Sequence, residues 1–236
     1  MRLLLTRPDP DAQRTAATLR TQGHDVIAAP LLRIEPAANA EIGAGPWAAI
    51  LITSANAAHA VATHARVAPL RALPVFAVGR RSAEAMTAAG FPDVTSADGD
   101  VSDLARLVAV RLQPAARLLY LAGEDRSGDL AGDLRAHRFA VETTIIYRAV
   151  AATGLPLAAA DALANGIDGV LHFSRRSAEA YVDAARAVGM LTNALKPVHY
   201  CLSALVAEPL AQAGAAAIRV AERPNEAVLL ALIDAA

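Results

Sequence analysis

The sequence predicts an α/β protein of two doubly wound parallel-sheet lobes. Three observations carry that reading: an internal duplication, short apolar runs alternating with amphipathic stretches, and glycines at the ends of those stretches. A shift of 115 (118 minus 3) lays Leu3-Leu4-Leu5-Thr6 on Leu118-Leu119-Tyr120-Leu121 and pairs Ala16 with Ala131, Leu19 with Leu134, Val26 with Val141 and Arg33 with Arg148. The echo continues at a shift of 120, with Ile50-Leu51-Ile52-Thr53-Ser54 on Val170-Leu171-His172-Phe173-Ser174, and at 124, with Val75 to Gly90 on His199 to Gly214. Two similar half-chains predict two similar lobes, with a ligand cleft between them.

In the first half the apolar runs are residues 3–6, 26–32, 49–53 and 75–78; in the second they are 118–121, 141–147, 169–173 and 198–202. Polarity does not alternate along them, the pattern of strands covered by helices on both faces of a parallel sheet. Helix formers fill 12–22, 56–65, 82–89, 102–112, 128–136, 177–188, 205–213 and 226–233. Gly23, Gly90, Gly189 and Gly214 stand where a helix needs a left-handed terminator. Asp9-Pro10 and Ser102 read as helix starts. Strand and helix in alternation predict right-handed crossovers in an open sheet. Residues 33–46, with Pro36, Gly43, Gly45 and Pro46, and residues 148–156 each follow a long apolar run and are the expected crossings between lobes.

A chain of 236 residues has room for two domains, and its formal charge of −1 provides no global attraction for nucleic acid or an anionic membrane. No apolar run approaches the roughly 20 residues of a membrane span. The start, Leu3-Leu4-Leu5 followed by Thr6-Arg7-Pro8, lacks the apolar core and cleavage site of a signal peptide, so a cytoplasmic address is expected. The single cysteine, Cys201, sits in the apolar run 198–202 and reads as a core residue in a reducing compartment.

Ligands of open α/β sheets lie beyond the carboxyl ends of the strands, where helix N-termini present free N–H groups. The residues there are Thr6-Arg7-Pro8, Thr53-Ser54-Ala55-Asn56, Gly79-Arg80-Arg81-Ser82, Gly123 through Ser127, Ser174-Arg175-Arg176-Ser177, and Ser203-Ala204. One hexapeptide, Arg-Arg-Ser-Ala-Glu-Ala, occurs at 80–85 and again at 175–180, outside the register of the duplication. Two readings stand: guanidinium, hydroxyl and helix start converging on an anion, or a serine N-cap beside solvated arginines. Phosphate-cradling and dinucleotide-binding glycine motifs are absent, and His24, His59, His64, His137, His172 and His199 show no metal-ligand spacing. These histidines read as surface or half-buried imidazoles, and neither metal nor cofactor is expected. Tyr147 closes the run 141–147; it reads either as a half-buried strand aromatic or as a phenol able to donate a proton to a leaving hydroxyl.

Taken together, several short motifs resemble the uroporphyrinogen-III synthase family from end to end. They are Leu-Leu-Thr-Arg-Pro at the start, Pro30-Leu31-Leu32 after Gly23, and Trp47 followed by Leu51-Ile52-Thr53-Ser54-Ala55-Asn56-Ala57. Val75-Phe76-Ala77-Val78-Gly79, Gly123-Glu124, Tyr147-Arg148, Phe173-Ser174 with Ser177, and Arg223-Pro224-Asn225-Glu226-Ala227 complete the series.

The resemblance implies two flavodoxin-like domains joined by a two-stranded ribbon, with residues 1–34 and 150–236 in one and 37–147 inserted as the other. It implies a cofactor-free, cyclising lyase that converts the linear tetrapyrrole hydroxymethylbilane to uroporphyrinogen III. Loss of the hydroxyl gives an azafulvene, and a spiro intermediate inverts ring D. A monomer acting on a small molecule is expected.

Residue by residue, Tyr147 matches the tyrosine that assists departure of the hydroxyl, and Ser54, Asn56, Ser82, Ser174 and Ser177 match cleft hydroxyl and amide positions. Gly123 and Ser203 stand at equivalent elbows. Arg7, Arg80, Arg81, Arg175 and Arg176 are candidates for the substrate carboxylates by proximity alone. The chain departs from the family at Leu202-Ser203, usually Ile-Gly, and at Val206, usually threonine. The alternative is a non-catalytic anion-binding or regulatory module of the same fold.

Overall fold

The computed structural model describes residues 1–37, 39–126 and 128–234; Ser127, part of the expected elbow, lies outside the described residues. In chain order the elements are β1 (Arg2–Leu5), α1 (Asp11–Thr21), β2 (Asp25–Ala28), β3 (Leu32–Pro36), β4 (Ala49–Ile52), α2 (Ala55–Ala62), α3 (Val67–Leu70), β5 (Val75–Ala77), α4 (Arg80–Ala88), β6 (Val94–Ser96), α5 (Val101–Arg111) and β7 (Arg117–Gly123). They continue as α6 (Leu130–Ala136), β8 (Ala140–Ala151), α7 (Leu157–Asn165), β9 (Gly169–His172), α8 (Arg175–Ala187), α9 (Leu191–Ala194), β10 (Val198–Cys201), α10 (Ala204–Ala213), β11 (Ile218–Val220) and α11 (Glu226–Asp234).

The chain divides into two compact units, Met1–Arg33 with Val150–Ala236, and Ile34–Ala149. The first unit holds a parallel sheet of order β11-β10-β9-β1-β2. The second holds β3-β8-β7-β4-β5-β6, parallel from β8 to β6. In the register of the duplication β1 and β2 correspond to β7 and β8, and β4, β5 and β6 to β9, β10 and β11. Each sheet therefore joins the first two strands of one copy to the last three of the other, and in copy order both read 2-1-3-4-5. Both passages between the units lie inside β3 and β8. Hydrogen bonds from Ala37 N–H to Ile146 C=O (2.7 Å) and from Ala152 N–H to Leu31 C=O (2.9 Å) bracket their antiparallel pairing.

Burial follows from composition. Strands β4 and β9 are buried along their whole length, β4 as its unbroken apolar run requires and β9 with His172 enclosed at its end. In the second unit Ile50, Ile52, Leu119 and Leu121 pack on one face of the sheet, and Ala49, Leu51, Leu118 and Tyr120 on the other. Gly23, Gly90, Gly189 and Gly214 all adopt positive φ (86°, 89°, 70° and 95°) just past a helix, as terminators must.

Several boundaries differ from expectation. The run 26–32 is not one strand, because it breaks at Ala29-Pro30 and resumes as β3 in the other sheet; proline has no N–H to continue a ladder. Helix α5 starts ahead of Ser102: Asp100 is the N-cap, and Asp103 returns a bond to the Asp100 N–H at 2.9 Å, a capping box. Neither serine of the repeated hexapeptide is an N-cap. Gly79 caps α4 and Ser174 caps α8, so Ser82 and Ser177 sit inside their helices.

The histidine reading also changes. His172 and His199, on adjacent strands β9 and β10, are fully buried, with Nε2 of the first 3.1 Å from Nδ1 of the second; His64 is buried as well. Thr6 Oγ1 lies 3.4 Å from His172 Nδ1, and the Tyr181 ring meets both imidazoles edge-on. Burial pushes His199 down to about 4, partly offset by the Ala194 carbonyl, which already accepts from the Tyr181 hydroxyl at 2.8 Å. Burial also lowers His172 well below the ordinary imidazole value, and the neighbouring His199 adds to that.

A depressed folded pKa means that the unfolded chain binds the proton first. Stability from the neutral pair is thus complete above 6.5 and is lost as the pH falls towards about 4. Labelling of buried Cys201 by a disulfide reagent active in acid is expected to accelerate between neutrality and about pH 5. The acceleration should vanish in His172→Ile/His199→Val, which installs the residues of the other copy. Equal acceleration in both proteins would refute the assignment.

Candidate functional site

The strand order places a switch point in each sheet, between β7 and β4 in the second unit and between β1 and β9 in the first. In the second unit Ser54, Gly123 and Tyr147 meet there. β7 and β8 pair in regular register to Ala122 opposite Ile145, then shift so that Gly123 faces Tyr147. This bulge puts two successive side chains, Ile146 and Tyr147, against the same core cluster, and so turns the phenol onto the face that carries Ser54. The Glu124 N–H donates to the Tyr147 carbonyl at 3.0 Å and fixes the backbone beyond the bulge.

The ring occupies the space that a side chain at residue 123 would need. A Cβ on Gly123 would lie 2.5 Å from Tyr147 Cζ and 2.7 Å from its hydroxyl oxygen. Ser54 is the N-cap of α2: its Oγ accepts from the Asn56 N–H at 3.2 Å, and its hydroxyl, on the same face of the sheet as Tyr147, favours the ionised form of the phenol. Burial raises the Tyr147 phenol above its usual range, the Ser54 bond opposes that, and nearby Tyr120 adds to it. At neutral pH the group is therefore a protonated donor. Thr53 Oγ1 lies 2.9 Å from the Tyr120 hydroxyl on the opposite face of the sheet, and Asn56 is half-buried in the first turn of α2. One elbow further along, Gly79 begins α4 without a side-chain cap, Ser82 is buried in its first turn and Arg81 is exposed. Arg80 pairs with Asp98 at 3.2 Å.

In the first unit Ser174 caps α8. Its Oγ accepts from the Ser177 N–H at 3.1 Å and lies 2.8 Å from the Ser177 hydroxyl. Arg175 reaches Glu179 (2.9 Å) and Glu208 (3.2 Å), while Arg176 is half-buried. Ser203 begins α10 with no side-chain cap, and buried Val206 provides no hydroxyl there.

Arg7 departs from its expected role. It is 8% exposed, stacks 4.0 Å above the Phe173 ring, and is bound by Asp11 (3.1 Å), Glu226 (3.2 Å) and Thr15 (3.0 Å). It ties β1 to α1 and α11 and is committed internally. Burial lowers the guanidinium, which stays charged. Burial would raise Glu226, yet the Thr15 hydrogen bond and the charges of Arg7 and Arg14 hold it below the usual carboxylate range.

Thr53 was one of the expected elbow residues; Tyr120 was not. The available signal is a lone hydroxyl in the aliphatic run Leu118-Leu119-Tyr120-Leu121. Tyr120 also lines a cavity of about 680 Å³ in the second unit with Thr143, Glu124, Arg126 and Arg135. Among the described residues no group of three or more His, Cys, Asp or Glu side chains is placed to hold a metal ion, and no helix is long and apolar enough to cross a membrane.

A family model described as Uroporphyrinogen-III synthase HemD matches residues 13–231. No curated protein matches. Among solved structures, uroporphyrinogen-III synthetase from Helicobacter pylori 26695 is similar at 16% identity, with 100% of this chain and 99% of that chain covered and a TM-score of 0.69. A mutant uroporphyrinogen III synthase from the extremely thermophilic bacterium Thermus thermophilus is similar at 16% identity, with 100% and 98% covered and a TM-score of 0.53. At that identity the likeness to these structures is one of fold.

The geometry sets the ionisation of Tyr147. The alkaline absorbance change of the wild type minus that of Tyr147→Phe should titrate above the ordinary tyrosine value of 10.0. Ser54→Ala should move it higher still, because the Ser54 bond favours the ionised form. A midpoint at or below the ordinary value would overturn this description of the site.

Proposed function

The chain belongs to the uroporphyrinogen-III synthase family, and from that premise we propose that Tyr147 is its proton donor, held for the purpose by Ser54 and Gly123. The enzyme is a cyclising lyase: it closes hydroxymethylbilane with loss of water and inversion of ring D, giving uroporphyrinogen III in heme biosynthesis. The leaving hydroxyl must depart with a proton. A phenol kept neutral by burial, in contact with one oriented hydroxyl, is suited to supply it. The substituted carbon of ring D attacks the methylene of the azafulvene so formed, giving the spiro intermediate; the original methylene bond of ring D then breaks, that methylene closes on the other α-carbon of ring D, and loss of the proton from that carbon restores the pyrrole and balances the proton given to the leaving hydroxyl. No electrons are exchanged with an outside acceptor, so the chemistry calls for no cofactor.

The substrate is rich in carboxylates. Within each unit the helix starts at the strand ends offer N–H groups and small hydroxyls: Ser54, Asn56 and Ser82 in one, Ser174, Ser177 and Ser203 in the other. We read these as carboxylate receptors. Arg80, Arg81, Arg175 and Arg176 stand beside them, and the ion pairs of Arg80 and Arg175 are solvent-exposed ones that an incoming carboxylate can replace. The order 2-1-3-4-5 supports reading each unit as flavodoxin-like, with β3 and β8 as the connecting ribbon. A monomer in the cytoplasm is the proposed setting. The single buried thiol of Cys201, pushed up to about 12, fits a reducing compartment.

Purified protein given freshly prepared hydroxymethylbilane is expected to yield the type III isomer after oxidation. Type I alone, as in the enzyme-free control, would refute the function, and tight binding of the bilane without type III would identify a binding module. Tyr147→Phe is expected to slow type III formation by at least about tenfold, a loss of ~1.4 kcal/mol in transition-state stabilisation. An unchanged rate would return the tyrosine to a packing role.

A further inference from the structure

We propose that Tyr120 and Thr53 are a positioning pair for the reaction, holding the elbow after β4 so that Ser54 meets the Tyr147 phenol. The inference rests on Tyr147 being the proton donor.

Side chains of β4 alternate between the two faces of the sheet. Ile50 and Ile52 belong to one core cluster, Ala49 and Leu51 to the other. Carried past the end of the strand, the alternation sends Thr53 to the face of Tyr120, where its Oγ1 lies 2.9 Å from the phenol oxygen, and Ser54 to the face of Tyr147. Adjacent residues thus grip tyrosines on opposite faces. Fixing Thr53 fixes the peptide that sets the direction of Ser54 Oγ. Tyr120 is buried within the core cluster of its face, and there its hydroxyl is held by the 2.9 Å bond to Thr53.

The duplication isolates the role of these groups. At the equivalent positions of the other copy Leu5 replaces Tyr120 (120 minus 115), Leu32 replaces Tyr147 (147 minus 115), and Phe173 replaces Thr53 (53 plus 120). Pro8 stands for Gly123, while Ser174 keeps the serine of Ser54. The same strand order is thus built in the first unit without either tyrosine or the threonine. The three hydroxyls occur together or not at all, which ties Tyr120 and Thr53 to the Tyr147 site rather than to the fold.

The test uses the full chain with Thr53→Val, Thr53→Ser, Tyr120→Phe and the double variant Thr53→Val/Tyr120→Phe. Thr53→Val is expected to raise the titration midpoint of Tyr147, measured by difference against the same background carrying Tyr147→Phe. It should also lower kcat for type III formation at least about threefold with KM little changed. Tyr120→Phe, which keeps the ring, should show the same loss of kcat, and the double variant should be no slower than the slower single, as for two ends of one bond. Thr53→Ser, which keeps the hydroxyl, should restore both titration and rate.

Wild-type titration in Thr53→Val, a lowered rate without the shift, a shift without a lowered rate, or additive losses in the double variant would each overturn the pairing. The underlying reading fails separately, through an unchanged rate in Tyr147→Phe, and in that case the titration still reports whether Thr53 orders the phenol.

Discussion

The pairing of strands from different copies is the constraint on which the rest depends. Ile50 and Leu51 lie beside Leu119 and Tyr120 at the junction of β4 with β7, and Leu3 and Leu4 lie beside Gly169 and Val170 at the junction of β1 with β9. Each junction is the point where strand order reverses, and so where helices leave the sheet to opposite sides and open a crevice at the strand ends. The bond between Thr53 and Tyr120 and the contact of Ser54 with Tyr147 both link the end of β4 to strands of the other copy. A half-chain folded on itself would hold neither pair. Gly169 shows how tight such a junction is, since a Cβ there would lie 2.6 Å from the Tyr200 ring and 3.1 Å from Leu3.

The two units fill one plan with different chemistry. Where the second places Thr53, Tyr120 and Tyr147, the first places Phe173, Leu5 and Leu32, and Phe173 serves as the platform for Arg7. The ion cluster of Arg7, Asp11, Glu226 and Thr15 then ties the end of β1 to α1 and α11. His172 and His199 occupy the positions of Ile52 and Val75, so a polar pair stands in the first unit where the second has aliphatic core. Burial keeps the pair neutral near pH 7, and the mutual hydrogen bond offsets part of the cost of removing two imidazoles from water.

What was legible in the sequence was what local chemistry decides. Unbroken apolar runs marked the central strands, and four glycines marked helix ends because only the left-handed conformation lets the chain turn away there. Pro30 was legible as a residue, but its effect, sending β3 to a different sheet, depends on a partner strand more than a hundred residues away. The three-residue strands β6 and β11 are too short to show a period. Among the site residues, Ser54 and Ser174 stood at recognisable elbows. Arg7 was visible four residues before Asp11, while Glu226, the partner that commits it to the interior, comes from the far end of the chain. Tyr120 looked like any core aromatic, since its significance lies in a hydroxyl whose partner is set by strand adjacency.

On the proposed reading, binding and chemistry are separated in the molecule. Backbone N–H groups at helix starts come with the fold and recur in both units whatever the side chains are, which lets Gly79 stand where Ser174 stands and lets the chain carry Val206 where a hydroxyl was expected. Proton donation has no such backbone substitute. It needs one phenol, a neighbour without a Cβ to make room for it, a bulge to turn it, and a serine beside it; these four features meet at the ends of β4, β7 and β8. A ring closure that also proceeds without an enzyme asks chiefly for control of conformation. In the proposed reading, one phenol among many generic helix-start groups meets that demand, and divergence of those groups costs less than divergence of the phenol.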